Sequence, residues 1–412
     1  MRISSCFIFC FSLIVTLTSG LSYGGESDIP APFVSLKNFS GFKTVDNTEI
    51  VIADMPRIRD QKQFDICFGM APTTLAQKYI CQVKGIKNCE DVPQEMEISP
   101  LSTMAWSKKN TAVCTVKDGK YFVDGSDTEV DPDECSEQAL PDTELTSYAN
   151  VRFSGNGYQT LKNAATLFSF HSEACFSSDE FFKKFGKSAE TSHSFIDEMK
   201  KFYFSNRNKE ISCGTCLLAQ ATKLMNTTKM DEKIIRAALQ KKNFQEFMFQ
   251  IMFRDCARIQ LSTTPTFKQL PDIPLEYIVT PSDKILISLG GQARDDVYYM
   301  RGNEKIKIEK ISREEVLQKS REILSKGYPL MLDTICIRRN DDGRCLTRHS
   351  TIIKGYKEAC NDTECKKFLQ LHNSWGRKWQ DHFDDGWVEA LPLLANVDTD
   401  EIRPGIISWY EN

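Results

Sequence analysis

Phe368-Leu369-Gln370-Leu371-His372-Asn373-Ser374-Trp375-Gly376 is the stretch on which the reading of this chain turns. Phe368 to His372 reads as a strand, closed by a polar pair, a tryptophan and a glycine. Trp379 and then Gly386-Trp387 follow. Upstream stands His349, in Arg348-His349-Ser350-Thr351-Ile352-Ile353-Lys354-Gly355-Tyr356, a small and apolar run that also reads as a strand. Two strand-borne residues facing one another suit one task. The Asn373 side-chain oxygen accepts an imidazole N–H of His349 and fixes the ring, while Trp375 screens that bond from water.

Toward the N-terminus, Arg59-Asp60-Gln61-Lys62-Gln63-Phe64-Asp65-Ile66-Cys67-Phe68-Gly69-Met70 opens a helical pattern running from Cys67 to Lys84. Pro72 is expected to kink or weaken that helix. A thiol at a helix N-terminus beside a histidine has a lowered pKa. Amide hydrolysis by a thiol needs a thiolate, an acid and base beside it, a group that orients that base, and donors for the oxyanion. Cys67, His349 and Asn373 supply the first three.

These stretches resemble the papain family of cysteine peptidases over about residues 55–172 and 295–395. Asn373-Ser374-Trp375-Gly376 is similar to the family's NSWG segment, and Gln61 holds the family spacing before the nucleophile, which implies that the Gln61 side-chain amide and the Cys67 backbone N–H are the oxyanion donors. Met96-Glu97-Ile98-Ser99-Pro100-Leu101-Ser102 and Ser154-Gly155-Asn156-Gly157-Tyr158 look like two further family segments. The resemblance implies a substrate groove bordered by Gly155 or Gly157, Trp375 and Ser350. It also implies no cofactor and no catalytic metal. Several positions depart from the family. Phe64 stands where a disulfide cysteine is usual, Asp65 replaces a glycine, Phe68 a tryptophan, and Arg348 the common aspartate before the histidine.

Ser212-Cys213-Gly214-Thr215-Cys216 offers a rival nucleophile in Cys216. Its distance to His349 falls in the family's usual range of ~130–150 residues, whereas Cys67 requires a long insertion. Glu210 stands where Cys216 would need a glutamine, so the oxyanion donor is missing. A thioredoxin-like redox pair is the third reading of Cys213 and Cys216. The preferred one makes both disulfide partners, one of them with Cys256.

The expected fold class is α+β: a two-lobed papain-like fold with a helical lobe at 26–175, a helical insertion at 176–265 and a strand-rich lobe at 266–412. The last is expected as an antiparallel, barrel-like sheet. Helices are predicted at Gly157–Phe168 and Arg313–Lys326. Strands are predicted at Tyr277–Val279, 284–288, 297–300, 305–311, 330–337, 350–357, 368–372 and 386–390.

Composition sets the outer bounds. The 412 residues are 41% hydrophobic and 26% charged, which fits a folded chain rather than a disordered one. A net charge of −4 gives no electrostatic case for nucleic acid or an anionic membrane surface. Arg2 followed by the apolar run Cys6 to Leu17 reads as a secretory signal over residues 1–25. An extracellular or periplasmic, disulfide-forming compartment follows. Of 15 cysteines, Cys6 and Cys10 lie in that signal, so an odd number remains and pairing strands one. Proximity suggests the bridges Cys336–Cys345 and Cys360–Cys365. Triplets at Asn38, Asn226 and Asn361 have the glycosylation pattern. The function expected is a monomeric, secreted cysteine endopeptidase acting on polypeptides, with the insertion open to an inhibitor or other partner. The competing expectation is a papain-like scaffold that binds without cleaving.

Overall fold

The computed structural model describes residues 32–62, 64, 66–104, 114–117, 120–123, 129–130, 157–167, 169–207, 213–225, 231–241, 244–253, 258–261, 264–270, 285–287, 297–301, 304–308, 312–341, 343, 345–397 and 407–411. The signal-like stretch, Asp65, Gly155, Cys256 and Tyr277–Val279 lie outside these residues.

In chain order the elements are β1 (Lys43–Thr44), β2 (Ile50–Val51), α1 (Cys67–Val83), α2 (Pro100–Met104), β3 (Cys114–Lys117), β4 (Lys120–Val123), β5 (Glu129–Val130), α3 (Gly157–Leu167) and β6 (Ser169–His171). A helical stretch follows: α4 (Ser178–Phe185), α5 (Ala189–Asn206), α6 (Gly214–Met225), α7 (Glu232–Leu239) and α8 (Phe244–Phe253). The remainder is β7 (Arg258–Gln260), β8 (Thr266–Leu270), β9 (Ile285–Ile287), β10 (Val297–Arg301), β11 (Glu304–Ile308), α9 (Arg313–Ser325), β12 (Leu330–Arg339), β13 (Cys345–Cys360), β14 (Cys365–His372), α10 (Gly376–His382), β15 (Trp387–Glu389), α11 (Ala390–Ala395) and β16 (Ile407–Glu411).

The class is α+β. One antiparallel sheet runs in the order β15-β14-β13-β12-β16-β8, and β1 and β2 add to β13 off that path. The barrel-like closure expected from the sequence is not formed among the described strands, because β15 and β8 end the sheet as separate edges. The outer side of three-residue β15 is taken by the 34–35 segment, through a β-bridge from Ser35 to Val388 and a 2.8 Å bond from the Glu389 N–H to the Val34 carbonyl, so β8 does not pair there.

Helix α1 is the centre of the molecule. Every residue from Cys67 to Cys81 except Thr74 is buried, and its polar members are partnered: Gln77 accepts from the Ile98 N–H at 2.7 Å and Lys78 donates to the Ala53 and Asp54 carbonyls. One side, through Leu75, Ala76, Tyr79 and Ile80, joins the core built on Leu330, Leu332, Ile352, Ile353 and Leu371 of the sheet. Its first turn, through Phe68 and Met70, belongs to a second core with Phe181, Phe195, Tyr203, Phe247 and Phe253 of the helical stretch. The N-terminus of α1 is thereby clamped from two directions.

Pro72 does not interrupt α1. The proline removes one N–H, while the Thr73 and Thr74 hydroxyls donate to the carbonyls of Gly69 and Met70 at 2.7 and 3.1 Å. Four disulfides join described cysteines: Cys81–Cys89, Cys213–Cys216, Cys336–Cys345 and Cys360–Cys365. Cys213 and Cys216 thus pair with one another, which corrects the expected bridge to Cys256. The first turn of α6 already holds them side by side. Among the described residues no helix is long and apolar enough to cross a membrane.

Candidate active site

Long antiparallel β13 carries His349 opposite Ile335 of β12, and β14 ends one residue before Asn373. The His349 Nε2 lies 2.7 Å from the Asn373 Oδ1. Which atom of the amide faces the ring follows from a neighbour. The Ser374 backbone N–H donates to the same Asn373 Oδ1 at 2.8 Å, so that atom must be an oxygen. The imidazole therefore carries its proton on Nε2, and Nδ1 is left as the basic nitrogen.

The Trp375 ring stacks over His349 with centroids 4.2 Å apart, and Phe33 and Trp379 meet Trp375 edge-on. His349 is 2% exposed and Asn373 1%. Burial pulls the His349 pKa down to about 4, against the raising effect of the Asn373 bond. The imidazole is thus neutral unless a negative charge appears beside it.

Cys67 is the first residue of α1 and, among the described residues, the cysteine outside any disulfide. The preceding Ile66 gives no side-chain cap, and its carbonyl accepts from the Gly69 and Met70 N–H groups at 2.8 and 3.0 Å, so the sulfur sits at the positive end of α1. Its Sγ lies 3.8 Å from the carbonyl oxygen of Arg348, the residue next to His349. The Arg348 side chain itself is exposed, where water screens the charge expected to oppose an imidazolium. Cys216, the rival, is held in its bridge to Cys213 and presents no thiol in this state.

Residues 59–61 are tied to 374–376 from the far end of the chain. Gln61 N–H donates to the Ser374 carbonyl at 2.9 Å, Gly376 N–H to the Arg59 carbonyl at 3.0 Å, and Asp60 forms a β-bridge with Trp375. The Gln61 side chain adds to this seam. Its Oε1 accepts from the Ser374 hydroxyl at 2.6 Å and its Nε2 donates to the Phe64 carbonyl at 2.7 Å. One amide hydrogen remains for an oxyanion. Phe64 is 1% exposed and packs on Phe181 and Phe182 at 5.4 and 5.5 Å. Apolar packing against α4 holds this position.

Gly157 and Ser350 meet at a residue that the sequence reading passed over. A Cβ on Gly157 would sit 2.9 Å from Ser350 Oγ and 3.2 Å from Asp333 Oδ1. Ser350 donates to Asp333, and so do the Tyr158 and Thr334 backbone N–H groups, each at 2.9 Å. Asp333 is 5% exposed. The available signal was a lone carboxylate inside the apolar run of β12. Among the described residues no group of three His, Cys, Asp or Glu side chains gathers as metal ligands would.

A comparison with protein-family models gives no match, and a comparison with curated proteins gives none either.

Proposed function

We propose that the chain is a secreted cysteine endopeptidase with a two-lobed papain-like fold. The observation that carries this reading is the 2.7 Å bond from His349 Nε2 to Asn373, which leaves Nδ1 basic while the Cys67 sulfur lies against the preceding residue. In the proposed cycle the Cys67 thiol gives its proton to His349 Nδ1. The thiolate attacks a peptide carbonyl, and the Cys67 N–H with the remaining Gln61 amide hydrogen holds the oxyanion. The imidazolium then protonates the departing amine. His349 next takes a proton from water as the hydroxyl adds to the thioester, and the carboxylic acid leaves with Cys67 regenerated. The thiolate supplies the counter-charge that a buried imidazolium otherwise lacks.

A second reading has an observation of its own. Cys67 and His349 are 8% and 2% exposed, which suits a scaffold that binds without cleaving. Epoxide reagents of the E-64 type separate the two. A peptidase alkylates at Cys67 and loses turnover, and Cys67→Ser loses both turnover and labelling while keeping its thermal unfolding profile. Turnover that survives Cys67→Ser, or wild-type protein inert to both epoxide and peptide substrates, would overturn the peptidase reading.

A further inference from the structure

The proposed hydrolysis leaves unused the bridge between Cys213 and Cys216. Cys216 and Thr215 are exposed and Cys213 is half-buried. By contrast, Cys81 and Cys89, which tie α1 to the segment after it, are each 1% exposed. The two bridged residues are 3 apart in sequence, so the loop they close is too short to restrict much of the unfolded chain. Helix α6 brings them together without the bond. A purely structural tie therefore accounts poorly for the bridge.

Its immediate surroundings suit chemistry at sulfur. The Cys216 backbone N–H donates to Cys213 Sγ at 3.2 Å, and the Thr215 hydroxyl lies 3.5 Å from that same sulfur. Both groups are placed to stabilise a thiolate on Cys213 once the S–S bond opens. The Glu232 carboxylate lies where a Cβ on Gly214 would sit, so it rests directly against the loop. Arg236 pairs with Glu232 at 2.7 Å and offsets that negative charge beside the loop.

We propose that Cys213–Cys216 is a thiol–disulfide exchange site that accepts electrons from alkyl thiols. An incoming thiolate attacks the exposed Cys216 Sγ, the S–S bond breaks, and its electron pair leaves on Cys213 Sγ under the two donors. A second substrate thiolate attacks the outer sulfur of the mixed disulfide. The substrate leaves as a disulfide and Cys216 departs as a thiolate that takes a proton from water. Two substrate thiols are oxidised by two electrons and the bridge becomes a dithiol. An external disulfide of the glutathione type reverses the exchange and restores the bridge.

The test uses the full chain, equilibrated against graded ratios of reduced to oxidised glutathione and, in a parallel arm, against a peptide carrying two cysteines. Acid quenching, alkylation and peptide mass spectrometry then read each bridge. Cys213–Cys216 should titrate with at least one of the two thiols, under ratios that leave Cys81–Cys89 oxidised. The arm that reacts faster identifies a small-molecule or a polypeptide substrate. A second measurement asks for the asymmetry: at neutral pH, iodoacetamide should alkylate Cys213 in Cys216→Ser about tenfold faster than Cys216 in Cys213→Ser. Equal alkylation rates, or a bridge as resistant as Cys81–Cys89 in both arms, would overturn the proposal.

Discussion

A single backbone N–H decides the chemistry that His349 can perform. Ser374 N–H fixes the Asn373 amide, the amide fixes the imidazole proton on Nε2, and Nδ1 becomes the base. Replacing Asn373 by alanine removes the middle link of that chain. Turnover of a peptide substrate should fall about 10²-fold with KM little changed, because ring orientation rather than binding is lost. A loss confined to KM would show that Asn373 serves the substrate instead. Gly376 is the second residue with an outsized effect. Its φ is +83°, and an added Cβ would sit 2.8 Å from the Asp60 carboxylate. Gly376→Ala should destabilise by about 2 kcal/mol, read from urea unfolding, through left-handed strain and the displaced Asp60.

At the scale of elements, the seam between 59–61 and 374–376 does what neither segment does alone. It brings Gln61 and Asn373 to the same edge, and Arg59 anchors it. The Arg59 guanidinium, 6% exposed, meets Glu173 at 2.5 Å, Glu97 at 2.8 Å and the Ile98 carbonyl at 2.9 Å. Burial pushes the Glu173 carboxyl up despite this partner, so its charge depends on Arg59. Arg59→Ala leaves buried Glu173 without its paired cation, while Glu97 keeps Arg57, and should cost about 3–5 kcal/mol. A chemical-denaturation midpoint unchanged from wild type would contradict the anchoring role. Much of this level was legible in the sequence. The strands carrying His349 and the approach to Asn373 followed from apolar periodicity, and α9 from its pattern and Gly327; the structure adds the Ser312–Glu315 capping box at its start. Helices α10 and α11 escaped, since each is a short segment held by burial of Trp379, Leu393 and Leu394 rather than by an amphipathic repeat.

For the molecule as a whole, two buried neutral histidines set an acid limit. Burial lowers His349 to about 4, and burial with help from Lys354 lowers His372 to about 3. Both titrate near ~6.5 in the unfolded chain. Between those values the unfolded chain holds protons that the folded one does not. Stability is therefore full above pH ~6.5 and falls with pH, down to about 4 for His349 and about 3 for His372. The His349 contribution alone is on the order of 3 kcal/mol. Urea midpoints measured from pH 7.5 to 4 should fall steadily, and His372→Gln should flatten the slope. A slope unchanged by that substitution would remove His372 from the acid limit.

The sequence by itself determined the α+β class, the positions of strands β9 to β15 and the identities of Gln61, Cys67, His349 and Asn373 as candidates. These rest on local periodicity and on residue chemistry, which short stretches carry. Only the tertiary structure decided the tautomer of His349, the meeting of Gly157 and Ser350 on Asp333, the pairing of Cys213 with Cys216 and the open sheet. Each of these depends on which packed surfaces meet. Phe64 shows why: its place in the core is set by Phe181 and Phe182, residues with no local tie to it, and no periodicity within either segment encodes that encounter.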